Sequence, residues 1–372
     1  MSRNRTGLLK SALSALHFTG ADRLLAPLTR GVGVIFMLHS VRPRRPEGFA
    51  PNRILEITPD FLEQVIDLVV DSGFDVLSLD DAHSRLREGD FDRPFASFTF
   101  DDGYRDNRDF AYPIFKRHNL PFAIYVPSDF ADGRGDLWWI KLEMAIAACE
   151  VIHARIDGVA ERLETATVEQ KEQAFARIYW WLRSIPEFET RRFVNDLCAS
   201  HGVDTAGLCR DLIMGWDELR DLAQDPLVTI GAHTRRHMAL AKLTLSEARL
   251  EMEESIRRLE RELKRPMRHF SFPYGDETSA GPREFELARE LGFDTAVTTR
   301  KGLIHERHAD FTTALPRLSL NGDFQSTRYV KVMLSGAPFA FWDMARHLRP
   351  DSMAARSGST RRQFLSARTS TG

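Results

Sequence analysis

The chain has 372 residues, of which 43% are hydrophobic, and a formal net charge of −2 at pH 7. This length can hold one large α/β domain with insertions, and the small net charge gives no indication of a nucleic-acid partner. The three cysteines, Cys149, Cys198 and Cys209, lack the spacing of a metal site and are typical of a protein from a reducing compartment.

The first 30 residues predict a helical segment. Leucines recur at helical spacing from Leu8 to Leu28. The stretch between Leu8 and Phe18 contains a lysine, two serines and a histidine, so it lacks the apolar core of a signal peptide, and no run approaches the roughly 18 apolar residues of a membrane span. A helix packed on the rest of the fold is the simplest interpretation, and a basic helix lying on a membrane surface is the alternative. We therefore expect a cytoplasmic protein.

Short apolar runs alternate with amphipathic helices along most of the remaining chain. One helix begins at Thr58, where the cap residue is followed by a proline, and another begins at Thr244, where Glu247 completes a capping box. A further helix is predicted over 282–291. The predicted strands are 32–38, 74–79, 95–100, 121–126, 227–230, 268–272, 293–298 and 315–319. This alternation predicts an α/β fold.

Two segments depart from this alternation. Residues 137–224 are rich in Leu, Ala, Glu and Arg with little strand signal, and predict a helical insertion that could cover a site or carry a protein interface. Its paired tryptophans at 138–139 and 180–181 could stack on sugar rings, although packing in the core is the simpler interpretation. After residue 349, a run of Ser, Arg, Thr and Gly predicts a disordered tail.

Two adjacent carboxylates follow the apolar strand at 95–100. Asp101 and Asp102 would point to opposite faces of a regular strand, but Gly103 can turn the backbone and let both address one cleft. Two acids placed in this way can divide the work, one holding a metal while the other moves a proton. Taken alone, an ordinary Asp-Asp-Gly turn is the simpler interpretation.

A pair of histidines follows the predicted strand at 227–230. His233 and His237 are four residues apart, close enough on a helical turn to bind one ion. Imidazole suits Zn and other first-row metals, and a carboxylate is the natural third ligand. The alternative is a surface pair without a ligand, but the strand context and the Asp-Asp-Gly segment together favour a metal.

A third segment places Tyr274 between Pro273 and Gly275, directly after another short apolar run. Proline and glycine on either side of a residue indicate a tight turn. A rigid turn of this kind can present a backbone N–H to an oxyanion, while an ordinary strand-to-loop turn is the alternative.

In order and context, these three segments resemble the motifs of the polysaccharide deacetylase family, the NodB homology domain of carbohydrate esterase family four. The resemblance covers roughly residues 31–320, with one long interruption. It implies a distorted (β/α)7-type barrel with a helical insertion, which we assign to residues 31–348. It also implies a hydrolase that removes N-acetyl or O-acetyl groups from an acetylated saccharide.

The resemblance also assigns roles to residues of the three motifs. Asp101 matches the general base of the family, and Asp102, His233 and His237 match its metal ligands. Tyr274 matches the residue whose backbone N–H helps to form the oxyanion hole. The implied cofactor is one divalent metal, with Zn as the expected ion.

The chain departs from the family pattern at two points. Ser271 stands where many members carry an arginine that steadies the catalytic aspartate, and Arg317 could take that role instead. The segment at 318–320 reads Leu-Ser-Leu where many members carry a Leu-x-His that supplies the general acid. His39 is the best substitute, because it ends a strand whose neighbours carry the motifs. The weaker candidates are His269, His305 and His308.

Two other functions remain open at this point. The chain could be a metal-dependent hydrolase of another non-peptide C–N bond, since the late motifs are unusual. It could also be a catalytically weak saccharide-binding or scaffold protein, since the late histidine is absent. The sequence leaves open the saccharide, its chain length, the choice between N- and O-acetyl groups, and the oligomeric state.

Overall fold

A computed structural model of the chain describes residues 3–347. These residues form two compact units. The large unit spans Val32–Thr327, and the terminal unit combines the residues before Val32 with those from Arg328 onward. The domain boundaries that we placed at residues 30 and 348 stay predictions, and the predicted disordered tail from residue 349 lies outside the described residues.

The described strands and helices follow in chain order. The strands are β1 (Gly33–Leu38), β2 (Ser40–Val41), β3 (Glu56–Ile57), β4 (Asp75–Val76), β5 (Phe95–Phe100), β6 (Phe122–Val126), β7 (Val151–Ile156), β8 (Val159–Glu164), β9 (Val228–Ala232), β10 (His269–Ser271), β11 (Thr295–Lys301) and β12 (Leu315–Ser319). The α-helices are α1 (Arg3–Thr19), α2 (Ala21–Thr29), α3 (Pro59–Asp71), α4 (Leu79–Glu88), α5 (Tyr112–His118), α6 (Ser128–Ala131), α7 (Trp138–Ala147), α8 (Val168–Leu182), α9 (Glu187–Ser200), α10 (Leu208–Leu212), α11 (Trp216–Leu222), α12 (Leu245–Leu263), α13 (Pro282–Glu290), α14 (Thr327–Leu334) and α15 (Ala337–His347).

Seven parallel strands close into a barrel, which confirms the predicted (β/α)7-type fold. The order around the barrel is β1-β12-β11-β10-β9-β6-β5, and β1 closes it by pairing with β5 along its full length, from Gly33 opposite Phe95 to Leu38 opposite Phe100. All six residues of β1 and of β5 are buried. Strands buried on both faces need largely apolar sequences, which explains the apolar run of β1. The two polar residues of β5 are buried with hydrogen-bond partners: the Ser97 hydroxyl donates to the Leu77 carbonyl and the Thr99 hydroxyl to the Phe36 carbonyl.

The strand predicted at 74–79 is shorter than expected. Only Asp75 and Val76 form β4, which pairs with Phe95 and Ala96 at the beginning of β5. Ser78 instead caps α4, since its hydroxyl accepts a hydrogen bond from the Asp81 N–H at 3.1 Å. The two predicted caps are present: the Thr58 side chain accepts from the Phe61 N–H, and Thr244 and Glu247 form a capping box.

The insertion contains the helices α7 to α11 and one element that the sequence analysis missed. β7 and β8 form an antiparallel hairpin, in which β7 alternates buried and exposed residues. Asp157 and Gly158 connect the two strands with φ values of 51° and 79°. An Asp-Gly pair between alternating segments is a strong hairpin signal, because this tight turn needs positive φ at both positions.

The terminal unit contains α1 and α2 from the N-terminal side, and α14 (from Arg328 onward) and α15 from the C-terminal side. The Thr29 hydroxyl donates to the Ser335 carbonyl at 2.6 Å, and Gly336 lies so close that an added Cβ would meet the Thr29 carbonyl oxygen at 1.8 Å. Of the helices that the structure describes, none combines the length and apolar character needed to cross a bilayer.

Candidate metal centre

The carboxyl ends of the barrel strands bring the three sequence motifs together. Asp101 and Asp102 follow β5, while His233 and His237 follow β9. Asp102 and Gly103 have φ values of 74° and 72°. The chain therefore turns through two successive left-handed residues, and both carboxylates are buried at the same end of the barrel. The turn at Gly103 was predicted, but the left-handed conformation of Asp102 was not.

Asp102, His233 and His237 converge on one point. Their candidate ligand atoms all lie within 4.8 Å of one another. Asp102 Oδ1 is 3.1 Å from His237 Nε2 and 3.5 Å from His233 Nε2, yet this buried oxygen forms no hydrogen bond with any described residue. Burial opposes ionisation of Asp102, but the two imidazoles hold the pKa of Asp102 well below its usual range.

The surroundings of His233 fix which ring nitrogen is available. His233 Nδ1 lies 2.6 Å from the backbone carbonyl of Ser271, so this nitrogen carries the proton and donates. Nε2, which lies 3.5 Å from Asp102 Oδ1, is then the nitrogen that a metal would bind. A metal-binding histidine commonly donates its other N–H to a carbonyl in this way. An unpaired carboxylate oxygen beside two imidazoles is the donor set of a Zn-type divalent ion, and the residues therefore fit the metal that the motif implies.

Backbone strain is concentrated at this site. Seven described non-glycine residues have positive φ, and three of them, Asn119, Asp157 and Lys264, lie at helix ends or in the hairpin turn. The other four belong to the site: Asp102, Thr234, His237 and Tyr274. Such conformations cost roughly 1–3 kcal/mol each and persist where the surrounding structure enforces them, which is typical of functional sites.

Asp101 is paired with Arg317 inside the barrel. The Arg317 side chain, which is fully buried, donates from Nη1 to Asp101 Oδ1 at 2.8 Å and from Nη2 to Asp101 Oδ2 at 2.6 Å. Nη2 also donates to the Ser271 hydroxyl at 3.0 Å, and Nε donates to the Thr298 carbonyl at 2.9 Å. Ser271, which stands in place of the expected arginine, thus helps to hold the arginine that comes from β12.

This pairing sets the charge state of Asp101. Burial opposes its ionisation, but the Arg317 guanidinium more than compensates and holds the pKa of Asp101 below its usual range. The carboxylate therefore stays ionised although it is buried. An ionised carboxylate that is positioned by a bidentate guanidinium can accept a proton.

Tyr274 follows β10 in a tight turn with a φ of 60°. Its backbone N–H donates to no described residue, and its carbonyl accepts a hydrogen bond from the Thr299 hydroxyl at 2.5 Å. At Gly275, where φ is 57°, an added Cβ would lie 2.6 Å from the Thr299 nitrogen. The Tyr274 ring lies 4.8 Å from the His237 ring, so this turn packs beside a candidate metal ligand.

The candidate acids fall at opposite ends of the barrel. His39 follows β1 at the carboxyl end, and its charge contributes to lowering the pKa of both Asp101 and Asp102. His269 begins β10 at the amino end. His305 and His308 follow Ile304, which pairs with Gly33 at the start of β1. The three weaker candidates therefore lie away from the carboxylates, and His39 alone of the four lies with them.

The insertion supplies supports for the site that the sequence analysis did not find. Arg191 of α9 donates to the carbonyls of Arg236 and His237 at 3.2 and 3.1 Å. The guanidinium of Arg183, at the end of α8, lies 3.9 Å from the centre of the Tyr274 ring. Nothing local in the sequence marks these contacts, because each joins residues at least 45 positions apart.

The buried tryptophans of the insertion also contact the site. Trp138 donates from Nε1 to the Tyr274 hydroxyl at 2.7 Å, and the Trp139 ring centre lies 5.1 Å from that of His237. Both tryptophans are buried, as the core-packing interpretation expects, whereas Trp180 is 61% exposed.

A cavity of about 410 Å³ lies next to the candidate metal centre and is lined in part by Tyr104. Its polar lining includes Arg42, Glu56, Tyr104 and Asp106, and apolar side chains of α7 and α10 complete it. Tyr104 connects the cavity to the site, since its hydroxyl accepts from Trp139 Nε1 at 3.1 Å. Burial raises the pKa of Asp106 to about 6. The cavity thus offers both hydrogen-bonding groups and an apolar wall at the same end of the barrel.

Comparisons with known proteins support the fold. A family model described as polysaccharide deacetylase matches residues 88–296, which is more than half of the chain. A comparison with curated proteins found no match.

Three solved structures share the fold at low sequence identity. They are the Streptococcus pyogenes deacetylase PplD in complex with acetate (15% identity over 81% of this chain and 97% of that chain, TM-score 0.52), IcaB from Ammonifex degensii (16%, 82% and 96%, TM-score 0.50) and BC0361, a polysaccharide deacetylase from Bacillus cereus (13%, 81% and 68%, TM-score 0.50). At such identities the likeness concerns the fold alone.

Proposed function

This chain belongs to the polysaccharide deacetylase family, and on that premise we propose that it is a metal-dependent deacetylase that hydrolyses acetyl groups on a saccharide. The observation that carries the proposal is the convergence of Asp102, His233 and His237 beside the arginine-paired Asp101. This arrangement puts a proton acceptor and a set of metal ligands at one end of the barrel.

Asp102, His233 and His237 would hold the metal. When bound, a divalent ion of the Zn type polarises a carbonyl and lowers the pKa of water towards about 7. The burial of all three side chains keeps competing solvent away, and the hydrogen bond from His233 to the Ser271 carbonyl fixes the orientation of that imidazole.

Asp101 would act as the general base. Its carboxylate is ionised because of Arg317 and can take the proton of the attacking water. The backbone N–H of Tyr274 would donate to the oxygen that becomes negative when the acetyl carbonyl is attacked. One well-placed donor of this kind contributes roughly 3–4 kcal/mol to the stability of the transition state.

His39 would protonate the leaving group. The departing amine, or the alkoxide of an O-acetyl substrate, must gain a proton, and His39 lies at the carboxyl end of the barrel with both aspartates. The alternative is a structural role, in which His39 only orients Asp101.

The cavity lined by Arg42 and Asp106 would accept part of the saccharide, since it combines polar groups with an apolar wall.

The alternatives remain distinguishable. A catalytically weak saccharide-binding protein would have no use for an ionised, buried Asp101, so the Arg317 pair supports an enzyme. A hydrolase of another non-peptide C–N bond would use the same site on a different substrate.

The cysteines Cys149, Cys198 and Cys209 are free, which supports the further proposal that the protein works in the cytoplasm.

The test is acetate release from a panel of N- and O-acetylated mono- and oligosaccharides. The wild-type protein is expected to release acetate from at least one of them, and a chelator should abolish the release. Asp101→Asn is the matched control, because it keeps every proposed metal ligand and removes the proton acceptor. Since it also leaves Arg317 without its charged partner, circular dichroism would verify that the variant is folded. If wild type and Asp101→Asn were equally inactive on the whole panel, the deacetylase assignment would fail.

A further inference from the structure

The two units of this chain carry opposite net charges. Residues 1–31 and 328–372 contain 13 Lys and Arg against 3 Asp and Glu, a net charge of +10, whereas residues 32–327 contain 38 against 50, a net charge of −12. The overall value of −2 conceals this separation. A strongly basic segment in an otherwise acidic chain indicates an anionic binding partner.

The α2 helix exposes a pair of leucines. Leu24 is 79% exposed and Leu28 is 85% exposed, and their spacing of four residues puts them on one face of the helix. Arg23, the basic neighbour of Leu24, is also exposed. Single exposed apolar residues are ordinary on protein surfaces, but two aligned leucines beside an arginine form an amphipathic surface.

From residue 6 onward, the α1 helix also presents an uncharged outer face. Among residues 6–19, for which the structure describes exposure, the exposed positions are Gly7, Leu8, Ser11, Ala12, Ala15, Phe18 and Thr19. Leu8 is 73% exposed and Phe18 is 75% exposed, and the guanidinium of Arg328 lies 5.3 Å from the centre of the Phe18 ring. A solvent-facing helix normally carries charges on its outer face, and between residues 6 and 19 none of the exposed positions is charged.

We propose that the terminal unit docks on the surface of an anionic lipid bilayer, with Leu24 and Leu28 of α2 and the outer face of α1 inserted at the headgroup level. Exposed apolar side chains combined with net positive charge are what binding to such a surface requires. This inference is independent of the proposed catalytic function. It also favours the alternative that the sequence analysis left open for the first 30 residues.

Two other occupants fit these observations less well. A second copy docked face to face would bring two units of charge +10 together, and their repulsion would oppose association. A nucleic acid would satisfy the positive charge but would leave the exposed leucines without a partner. An anionic bilayer satisfies both features at once.

The test is sedimentation of the full-length protein with vesicles. Wild type is expected to bind phosphatidylcholine vesicles that contain phosphatidylglycerol, to bind pure phosphatidylcholine vesicles much less, and to be released by salt. The variant Leu24→Glu with Leu28→Glu should bind at least about ten-fold more weakly, because two leucines no longer enter the apolar layer. The variant Arg23→Glu should lose about five-fold or more in affinity, since each basic residue near an anionic surface contributes about 1 kcal/mol.

The matched control also introduces two glutamates at exposed apolar positions, but in the large unit. Val159 and Trp180 of the large unit are each 61% exposed, and the variant Val159→Glu with Trp180→Glu should bind vesicles like wild type. Circular dichroism would verify that each variant is folded. Three results would overturn the proposal: no binding of wild type to the anionic vesicles, equal binding by the leucine variant, or concentration-dependent dimers or oligonucleotide binding in place of vesicle binding.

Discussion

Two neighbouring residues, Asp101 and Asp102, are expected to have separable roles. Asp101→Asn should retain metal and lose most of its turnover, because it removes a proton acceptor that is paired with Arg317 rather than with the histidines. Asp102→Asn should lose metal, because Asp102 Oδ1 is the oxygen that faces both imidazoles. Elemental analysis of the purified variants, combined with acetate release, measures both effects. Equal metal loss in the two variants would contradict this division of roles.

The Arg317–Asp101 pair leads to a prediction about pH. The pair holds the pKa of Asp101 below its ordinary value of 3.8, so the stabilisation that it gives is present above that value and is lost as the pH falls through the folded-state pKa. Arg317→Gln should raise the pKa of Asp101, and the low-pH limb of the kcat/KM profile should therefore move to higher pH. Breaking a buried pair costs roughly 3–5 kcal/mol in stability.

Two further variants keep this prediction testable if Arg317→Gln folds poorly. Arg317→Lys retains the charge and should restore most of the low-pH limb. Ser271→Ala removes one of the hydrogen bonds that Arg317 Nη2 donates and should cause a smaller shift in the same direction as Arg317→Gln. An unchanged profile in both Arg317→Gln and Ser271→Ala would show that Arg317 does not set the ionisation of Asp101.

The proposed role of His39 is tested by the high-pH limb of the activity profile. If it supplies the proton to the leaving group, His39→Ala should lower kcat by roughly 10²-fold or more with metal retained. The decline of the rate at high pH, where loss of the acid's proton limits turnover, should flatten. A variant with near-normal kcat and an unchanged profile would assign His39 a structural role instead.

At the scale of elements, α9 of the insertion is expected to support metal binding from a distance. Arg191 donates to the carbonyls of Arg236 and His237, and so holds the left-handed backbone of a proposed metal ligand. Arg191→Leu should weaken metal affinity about 10–100-fold, the usual effect of removing a support behind a metal ligand. Competition with a chelator measures that affinity, and Arg191→Lys should recover part of it.

A matched control for this prediction lies on the neighbouring helix. Arg177 of α8 pairs with Glu161 on β8, and its side chain is 43% exposed. Arg177→Leu should leave metal affinity unchanged. If Arg191→Leu behaved in the same way, the insertion would not contribute to the metal centre.

At the scale of the whole molecule, the sequence predicted the elements better than the contacts between them. The apolar runs of β1 and β5 and the caps at Thr58 and Thr244 were recognisable because each depends on neighbouring residues. The hairpin at Asp157-Gly158 had an equally local signal and was missed, because the helical composition of the surrounding insertion outweighed it.

The contacts of the site were less predictable, since they depend on barrel closure. Asp101 and Arg317 are 216 positions apart and meet only because β1 pairs both with β5, which precedes Asp101, and with β12, which carries Arg317. The motifs indicated which residues belong to the site, and the missing arginine suggested Arg317. They could not indicate the left-handed conformation of Asp102 or the supports from Arg183 and Arg191, because tertiary packing determines both.

The most direct test of the central claim is a metal titration of the stripped enzyme. Protein treated with chelator and then dialysed would be titrated with Zn²⁺, while bound metal and acetate release are measured on the same samples. We predict that activity is absent at the start and rises in proportion to bound metal, reaching its maximum at one equivalent per chain. Acetate release that persists in the stripped protein, or that fails to return as the metal binds, would contradict the account.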